Sequence, residues 1–185
     1  MKVLLGYFKV LGKVIQGIIY MACLLGTLNA CQDKRERLPE VYILPESYKG
    51  AFYIVHNVRS GSEGVIKDGA QVYEIPESGV LVTQERANEG WVGSDKITFF
   101  HRKVNGDLLE IKHRWSGSLA DNAENRADLR VTIFGGGLGE IRMTVGSCAI
   151  PYRGFHIGTK TDVLDGVNHF SIESVIQKRL IECKD

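Results

Sequence analysis

Asn105-Gly106 commits the middle of the chain to a β-hairpin. The pair lies between ITFFHRKV and DLLEIKHRW, and Asn-Gly between such runs calls for a two-residue type I′ turn with positive φ at both central residues. That loop pairs Val104 with Asp107, and sets Phe100 opposite Ile111 and Arg102 opposite Leu109. One face then carries Phe100, Val104, Leu109, Ile111 and Trp115. The other carries His101, Lys103, Glu110, Lys112 and Arg114, with Ile97 and Phe99 as exceptions. The reading is an antiparallel pair with one solvated side.

The same grammar runs through most of the chain. Val41 to Leu44 ends at the turn cluster Pro45 to Gly50, and AFYIVHNV, residues 51–58, is apolar on both faces, as a central strand should be. Gln71 to Ile75 leads to a second Pro-Glu-Ser turn at Pro76, and Val80 to Thr83 follows. Leu129, Val131 and Ile133 alternate, as do Ile141, Met143 and Val145 beyond a turn at Gly135 to Gly139, and Tyr152 to Gly158 is a further strand. Only the end looks helical. Ile172, Val175, Ile176, Leu180 and Cys183 share a face, Ser171 can cap it, and Phe170 stands at staple spacing from Val175. The expected fold is mainly β: an antiparallel β-sandwich of about eight short strands, residues 40–185, closed by one C-terminal α-helix. A glycine count of 21 in 185 residues suits so many turns.

The first thirty residues read as a delivery signal. Lys2, Lys9 and Lys13 are the only charges before Asp33, and the run from Val14 to Leu28 is mostly apolar. It is shorter than the roughly 20 residues of a spanning helix. Leu28-Asn29-Ala30-Cys31, followed by QDKRER, resembles the lipobox of bacterial lipoproteins. That resemblance implies cleavage before Cys31, a diacylglyceryl group on its thiol and acylation, such as palmitate, of the new amine. Cys23, after Met21-Ala22, is a rival with Tyr20 where an aliphatic residue belongs. Residues 31–39 are then the lipidated cysteine and a short tether. Loss of the three signal lysines leaves 20 basic against 22 acidic side chains, a net charge of −2. Such a body is not held to anionic lipid by charge, whereas two or three acyl chains would hold it. Gln32, in place of the aspartate that retains enterobacterial lipoproteins in the inner membrane, leans toward the outer membrane.

Cys148 and Cys183 remain in the exported part, and the expectation is a disulfide between them. Closing that loop would contribute roughly 4 kcal/mol on the chain-entropy model. Two buried free thiols are the alternative. No CxxC or HxxxH spacing appears, so no metal site is expected, and no cofactor either.

YILPESYKGAFYIV, VYEIPESGVLVTQERANEGW and FHIGTK together resemble a family of uncharacterised bacterial lipoprotein domains. The resemblance implies an exported, lipid-anchored β domain and carries no catalytic residues with it.

Candidate chemistry is sparse. Gly135 to Gly139 lacks the following helix and the Lys-Ser/Thr of a phosphate loop, and reads as a hairpin connection. In the two-residue register His101 pairs with Glu110 while His113 pairs with Thr98 on the other face, so they share no metal. His56 reads as a core histidine, and Gly146-Ser147-Cys148 lacks the GxSxG elbow of a hydrolase. Trp91, Trp115 and the seven tyrosines read as core and rim, with an aromatic binding face for sugar or peptide as the alternative. With a formal charge of +1 there is no strong basic field for nucleic acid. The expectation is a non-catalytic binding or scaffolding module with an envelope protein, peptide or glycan partner. A small envelope hydrolase or carbohydrate-active domain is the alternative.

Overall fold

The two Pro-Glu-Ser turns organise the architecture. The computed structural model describes residues 37–88, 96–115, 117–142 and 149–179. Within them β1, Glu40–Leu44, is followed by a turn in which the Tyr48 N–H donates to the Pro45 carbonyl at 3.2 Å, and then by β2, Gly50–Val55. Further on, β4, Ala70–Glu74, is followed by a turn in which the Gly79 N–H donates to the Pro76 carbonyl at 2.9 Å, and then by β5, Val80–Val82. Each unit starts in one sheet and crosses to the other at its turn. The units lie side by side, so β1 runs parallel to β4 in the first sheet, and β2 runs parallel to β5 in the second.

The remaining strands complete two five-stranded sheets. Sheet A has the order β3-β4-β1-β6-β7, with β3 at Val65–Lys67, β6 at Ile97–Arg102 and β7 at Leu108–Glu110. Sheet B has the order β5-β2-β10-β9-β8, with β8 at His113–Trp115, β9 at Thr132–Arg142 and β10 at Ala149–Gly158. The mainly β, two-sheet reading holds, and the pairing is mixed where it was expected to be antiparallel throughout. Alternation reports which face a side chain takes and says nothing about strand direction. The side-by-side Pro-Glu-Ser units and the β1–β6 and β8–β9 pairs are parallel.

The main core lies between the sheets. Tyr42, Leu44, Tyr73 and Phe99 of sheet A meet Phe52, Ile54, Ile133, Phe155 and Ile157 of sheet B. A second cluster covers the outer face of sheet B, where Val55, Val80, Ile141 and Ile150 receive Ile172 and Ile176. Those two come from the terminal helix, which spans Ile172–Arg179, and Phe170 and Val175 pack on the same cluster. This double cover explains why β2 reads as apolar on both faces.

Among the described residues two shorter helices precede the terminal one. The first, α1, spans Ala123–Ala127 and is capped by Asn122; the second, α2, spans Lys160–Leu164 and carries a full capping box between Thr159 and Asp162. The terminal helix is therefore α3. Thr159-Lys160-Thr161-Asp162 is a sequence signature of such a start, which the strand-dominated reading passed over.

The hairpin forms with a longer loop. Lys103 pairs with Asp107 through its N–H at 2.8 Å, and the Gly106 N–H donates to the Lys103 carbonyl at 2.9 Å. Gly106 has φ +89 and Asn105 is not among the positive-φ residues, so the loop is a type I turn closed by a glycine bulge. The Asn105 side chain supports it by accepting the Asp107 N–H at 3.1 Å. One extra loop residue shifts the pairing by one: Phe100 lies opposite Glu110, and His101 opposite Leu109. On β6 the faces exchange accordingly, and Phe99 is buried. Past the turn Ile111 is buried as expected, while Leu109 is exposed, as is Val104 in the loop. The stretch after the turn is also two strands, since the chain leaves sheet A at Glu110 and joins sheet B at His113. Gly106→Val should consequently lower stability by more than about 1 kcal/mol, because a β-branched residue is forced to positive φ, whereas Asn105→Val should cost less. Urea midpoints of the two variants check the ranking, and equal losses would restore the two-residue turn.

Gly135 to Gly139 is likewise not a connection. These glycines lie inside β9, whose pairing with β10 slips at Gly154/Phe155. The slip is a β-bulge, and Gly135 and Gly136 take φ +88 and +105 there. Arg37 to Pro39, assigned to the tether, are already part of the fold: the Pro39 carbonyl accepts from the Gln71 N–H at 2.8 Å, and Arg37 packs against Glu40. Cys23, Cys31, Trp91, Cys148 and Cys183 lie outside the described residues.

Candidate functional site

At one end of the space between the sheets the core turns polar. The alternation of β1 sends Glu40 inward with Tyr42 and Leu44, and that of β10 sends Arg153 inward with Phe155 and Ile157. The two charges meet across the sandwich, with Arg153 Nη1 donating to Glu40 Oε2 at 2.8 Å and side-chain exposures of 8% and 1%. The same carboxylate accepts from Arg37 Nη2 at 2.7 Å, the Tyr42 hydroxyl at 3.0 Å and Asn88 Nδ2 at 3.1 Å. Four donors on one buried carboxylate offset much of its desolvation. Tyr42 stacks between Tyr73, at 5.0 Å, and Phe99, at 4.8 Å. Burial, with Glu40 adding to it, raises the Tyr42 phenol well above its ordinary range. His56 stands behind this cluster against the edge of Tyr73. Burial first, then the positive charge of Arg153, push its pKa down to about 4, so the ring is neutral at physiological pH.

A cavity of about 280 Å³ opens beside the charge cluster. Its walls are Phe99, Phe155, Trp115, Ile97 and Ile133, and it is lined also by Arg37, Arg114 and Arg153. The bulge glycines keep one wall low: a Cβ at Gly136 would lie 2.9 Å from the Phe155 ring. The Arg114 guanidinium sits 5.0 Å from the centroid of Phe99, and Lys160 Nζ sits 4.2 Å from that of Trp115. Lys160 is itself buried and held by Asn125 Oδ1 at 2.9 Å and Asp128 at 3.2 Å, which fixes the indole it rests on. Among the described residues, Arg153 Nε and Trp115 Nε1 of this wall are buried without a hydrogen-bond acceptor, as are His56 Nδ1, His101 Nε2 and His156 Nε2 elsewhere. Guanidinium and indole N–H groups only donate, so the cavity offers donors and positive charge enclosed by aromatic rings.

A second, more open hollow of about 420 Å³ lies on sheet B. Tyr53, Tyr152, His156 and His169 surround a floor that includes Gly137, Gly139 and Gly154. A Cβ at Gly139 would come within 2.4 Å of the Tyr152 ring, and one at Gly154 within 2.8 Å of Tyr53, so the glycines let both rings lie flat on the sheet. The Tyr53 hydroxyl is tied to the Phe170 carbonyl at 3.0 Å. Burial lowers the pKa of His156, and the neighbouring His169 lowers it further.

The aromatic residues divide: Tyr42 and Tyr73 are buried in the core, Trp115 lines the cavity, and Tyr53 and Tyr152 line the open hollow. His101 is half-buried opposite Leu109 and not in the exposed pair with Glu110, while His113 is exposed in the other sheet. The residues missed altogether are Glu40, Arg37 and Arg153. Their signal was phase: a glutamate in step with Tyr42 and Leu44, and an arginine in step with Phe155 and Ile157, are opposite charges each aimed into the core.

Residues 36–127, just under half of the chain, match DUF6843, a family of unknown function. No curated protein matches. A crystal structure described as "Putative Lipoprotein from Bacillus anthracis" has a similar fold, with a TM-score of 0.51 and 14% identity over 77% of this chain and 91% of that one. The chain is thus similar in fold to a protein so described, and over residues 36–127 to a family whose function is itself unknown.

Proposed function

We propose that this protein is a lipid-anchored lipoprotein of the bacterial envelope whose β domain is a non-catalytic binding module. The observation that carries the anchor is Leu28-Asn29-Ala30-Cys31, behind a basic start and an apolar run. The fold shared with a protein described as a lipoprotein supports it. So does the position of the compact unit, which starts at Arg37, only six positions after Cys31. A link of that length reaches at most about 20 Å, so the domain stays close to the lipid surface. Gln32 favours the outer membrane where the host has two.

The chemistry of the inter-sheet cavity supports binding over turnover. Its charged side chains are arginines, which stay protonated at any physiological pH and do not exchange protons with a substrate. Aromatic walls and fixed donors orient a guest instead. A partner of envelope protein, peptide or glycan nature fits the open hollow on sheet B, where tyrosine rings lie flat.

Metabolic labelling with a palmitate analogue tests the anchor. Wild-type protein should be labelled, and Cys31→Ser should lose both the label and normal cleavage. Equal labelling of the variant removes the anchor from Cys31, and loss of label only in Cys23→Ser moves the cut upstream.

A further inference from the structure

We infer that the open hollow on sheet B binds the neutral sugar rings of a glycan, stacked on its tyrosines above a floor of glycine. The inference deepens the binding-module reading and rests on it, but does not depend on the lipid anchor.

Gly137 is the first observation. Two glycines near it, Gly139 along β9 and Gly154 across the strand pair, make room for the rings of Tyr152 and Tyr53. Gly137 makes room for no side chain of the protein. A Cβ there would meet nothing within 4 Å, and Gly137 is not among the positive-φ glycines. Glycine weakens a strand, and one that neither packing nor backbone requires marks a place that something from outside approaches closely. Gly137 is exposed, in the floor of the hollow.

Polarity is the second. Tyr53, Gly137 and His156 stand on β2, β9 and β10, the three inner strands of sheet B. Neighbours on both sides engage the main chain of these strands, so an extended peptide cannot add to them as a further strand. Among the described residues that line the hollow there is no carboxylate, lysine or arginine to hold a charged guest. Its polar side chains are tyrosines and the imidazoles of His156 and His169. Burial and the neighbouring His169 keep His156 uncharged at neutral pH, and a neutral imidazole has one donor and one acceptor. A sugar hydroxyl is both as well. A purely apolar guest would cover these imidazoles without giving them a partner.

Shape is the third. The Tyr53 and Tyr152 rings have centroids 6.0 Å apart and are inclined at 64°, so a guest stacked on one meets the edge of the other. The bond from the Tyr53 hydroxyl to the Phe170 carbonyl, with the Phe170 ring 5.3 Å away, sets this corner before a guest arrives. A pyranose offers the matching pair of aspects, an apolar C–H face and a rim of hydroxyls. At about 420 Å³ the hollow falls within the roughly 300–1,000 Å³ usual for ligand sites, and its openness lets a chain continue at both ends.

The test is calorimetric titration of the full chain in a polyoxyethylene detergent, which carries no sugar, with empty micelles as blank. The probes are chitotetraose, cellotetraose and the acidic tetragalacturonate. At least one neutral chain should bind with a Kd of about 1 mM or tighter, and the acidic one no more tightly. Gly137→Val should weaken that binding about ten-fold or more, because its side chain fills the floor, while its urea midpoint stays at or above that of wild type. Tyr152→Phe keeps the ring and should bind within about three-fold of wild type, whereas Tyr152→Leu should lose about five-fold or more. No binding of either neutral chain, equal binding by wild type and folded Gly137→Val, or tighter binding of tetragalacturonate overturns the inference and leaves the binding-module reading standing. Shorter sugars appearing in the titrated sample would confirm the site and overturn the non-catalytic reading, so the two failures are told apart.

Discussion

Glu40→Gln should destabilise the fold by about 3–5 kcal/mol, the usual cost of removing one partner from a buried charge pair. The amide keeps the volume, so packing is preserved and the loss is electrostatic. Arg153 is then left inside the sandwich without its counter-charge, and the new amide N–H₂ turns a donor either toward Asn88, on one oxygen position, or toward Arg37, Arg153 and the Tyr42 hydroxyl, on the other. Urea denaturation at pH 7 measures it. The double replacement Glu40→Leu with Arg153→Met should recover much of the loss, because a well-packed apolar pair often equals a buried ion pair. A single-variant cost under about 1 kcal/mol would mean that water reaches the carboxylate, and the network would lose its standing as the polar anchor of the core.

Acid should weaken the protein well above the pH at which carboxylates titrate, and His56 should be the main cause. Its folded pKa is about 4, against about 6.5 for the unfolded chain. Between these values the unfolded chain takes up a proton that the folded one refuses. Stability therefore falls as pH drops from about 6.5 to about 4 and levels off below, a total of about 3 kcal/mol from this residue. His101 and His156, both shifted down chiefly by burial, act in the same direction. Comparing urea midpoints at pH 7 and pH 4.5, wild type should lose about 2–3 kcal/mol more than His56→Gln. Parallel losses in the two proteins would show that the imidazole is hydrated.

Both predictions concern residues that sequence reading handled unequally. β2, the hairpin at Asn105-Gly106 and the amphipathic face of α3 were legible, because each follows from periodicity or one turn dipeptide. The hairpin faces were misread because Asn-Gly admits two loops differing by one residue, and a period of two turns that single residue into an exchange of faces. Strand direction was not legible, since parallel pairing of the two Pro-Glu-Ser units is a property of their side-by-side placement. His56 was legible as a core histidine because its neighbours are apolar. Glu40 was not, because it follows a charged stretch that looks solvated, and its partner Arg153 lies at the other end of the chain. Phase marks each of the two charges as inward, but nothing local says that they meet.

The order in which strands meet sets when the domain can close. β1, first in the chain, is central in sheet A and finds its partners only in β4 and β6, while β2 needs β10, where Val55 meets Tyr152. The pairs β3–β4, β6–β7 and β9–β10 join consecutive strands, whereas those that hold the centres of the two sheets do not. Such topologies nucleate slowly, because the entropy of closing long loops is spent before any pairing rewards it. Within that delay the neighbouring strands can pair locally, while β1 and β2, the centres of their sheets, wait for strands from farther along the chain, so closure of the sandwich is the late and shared step.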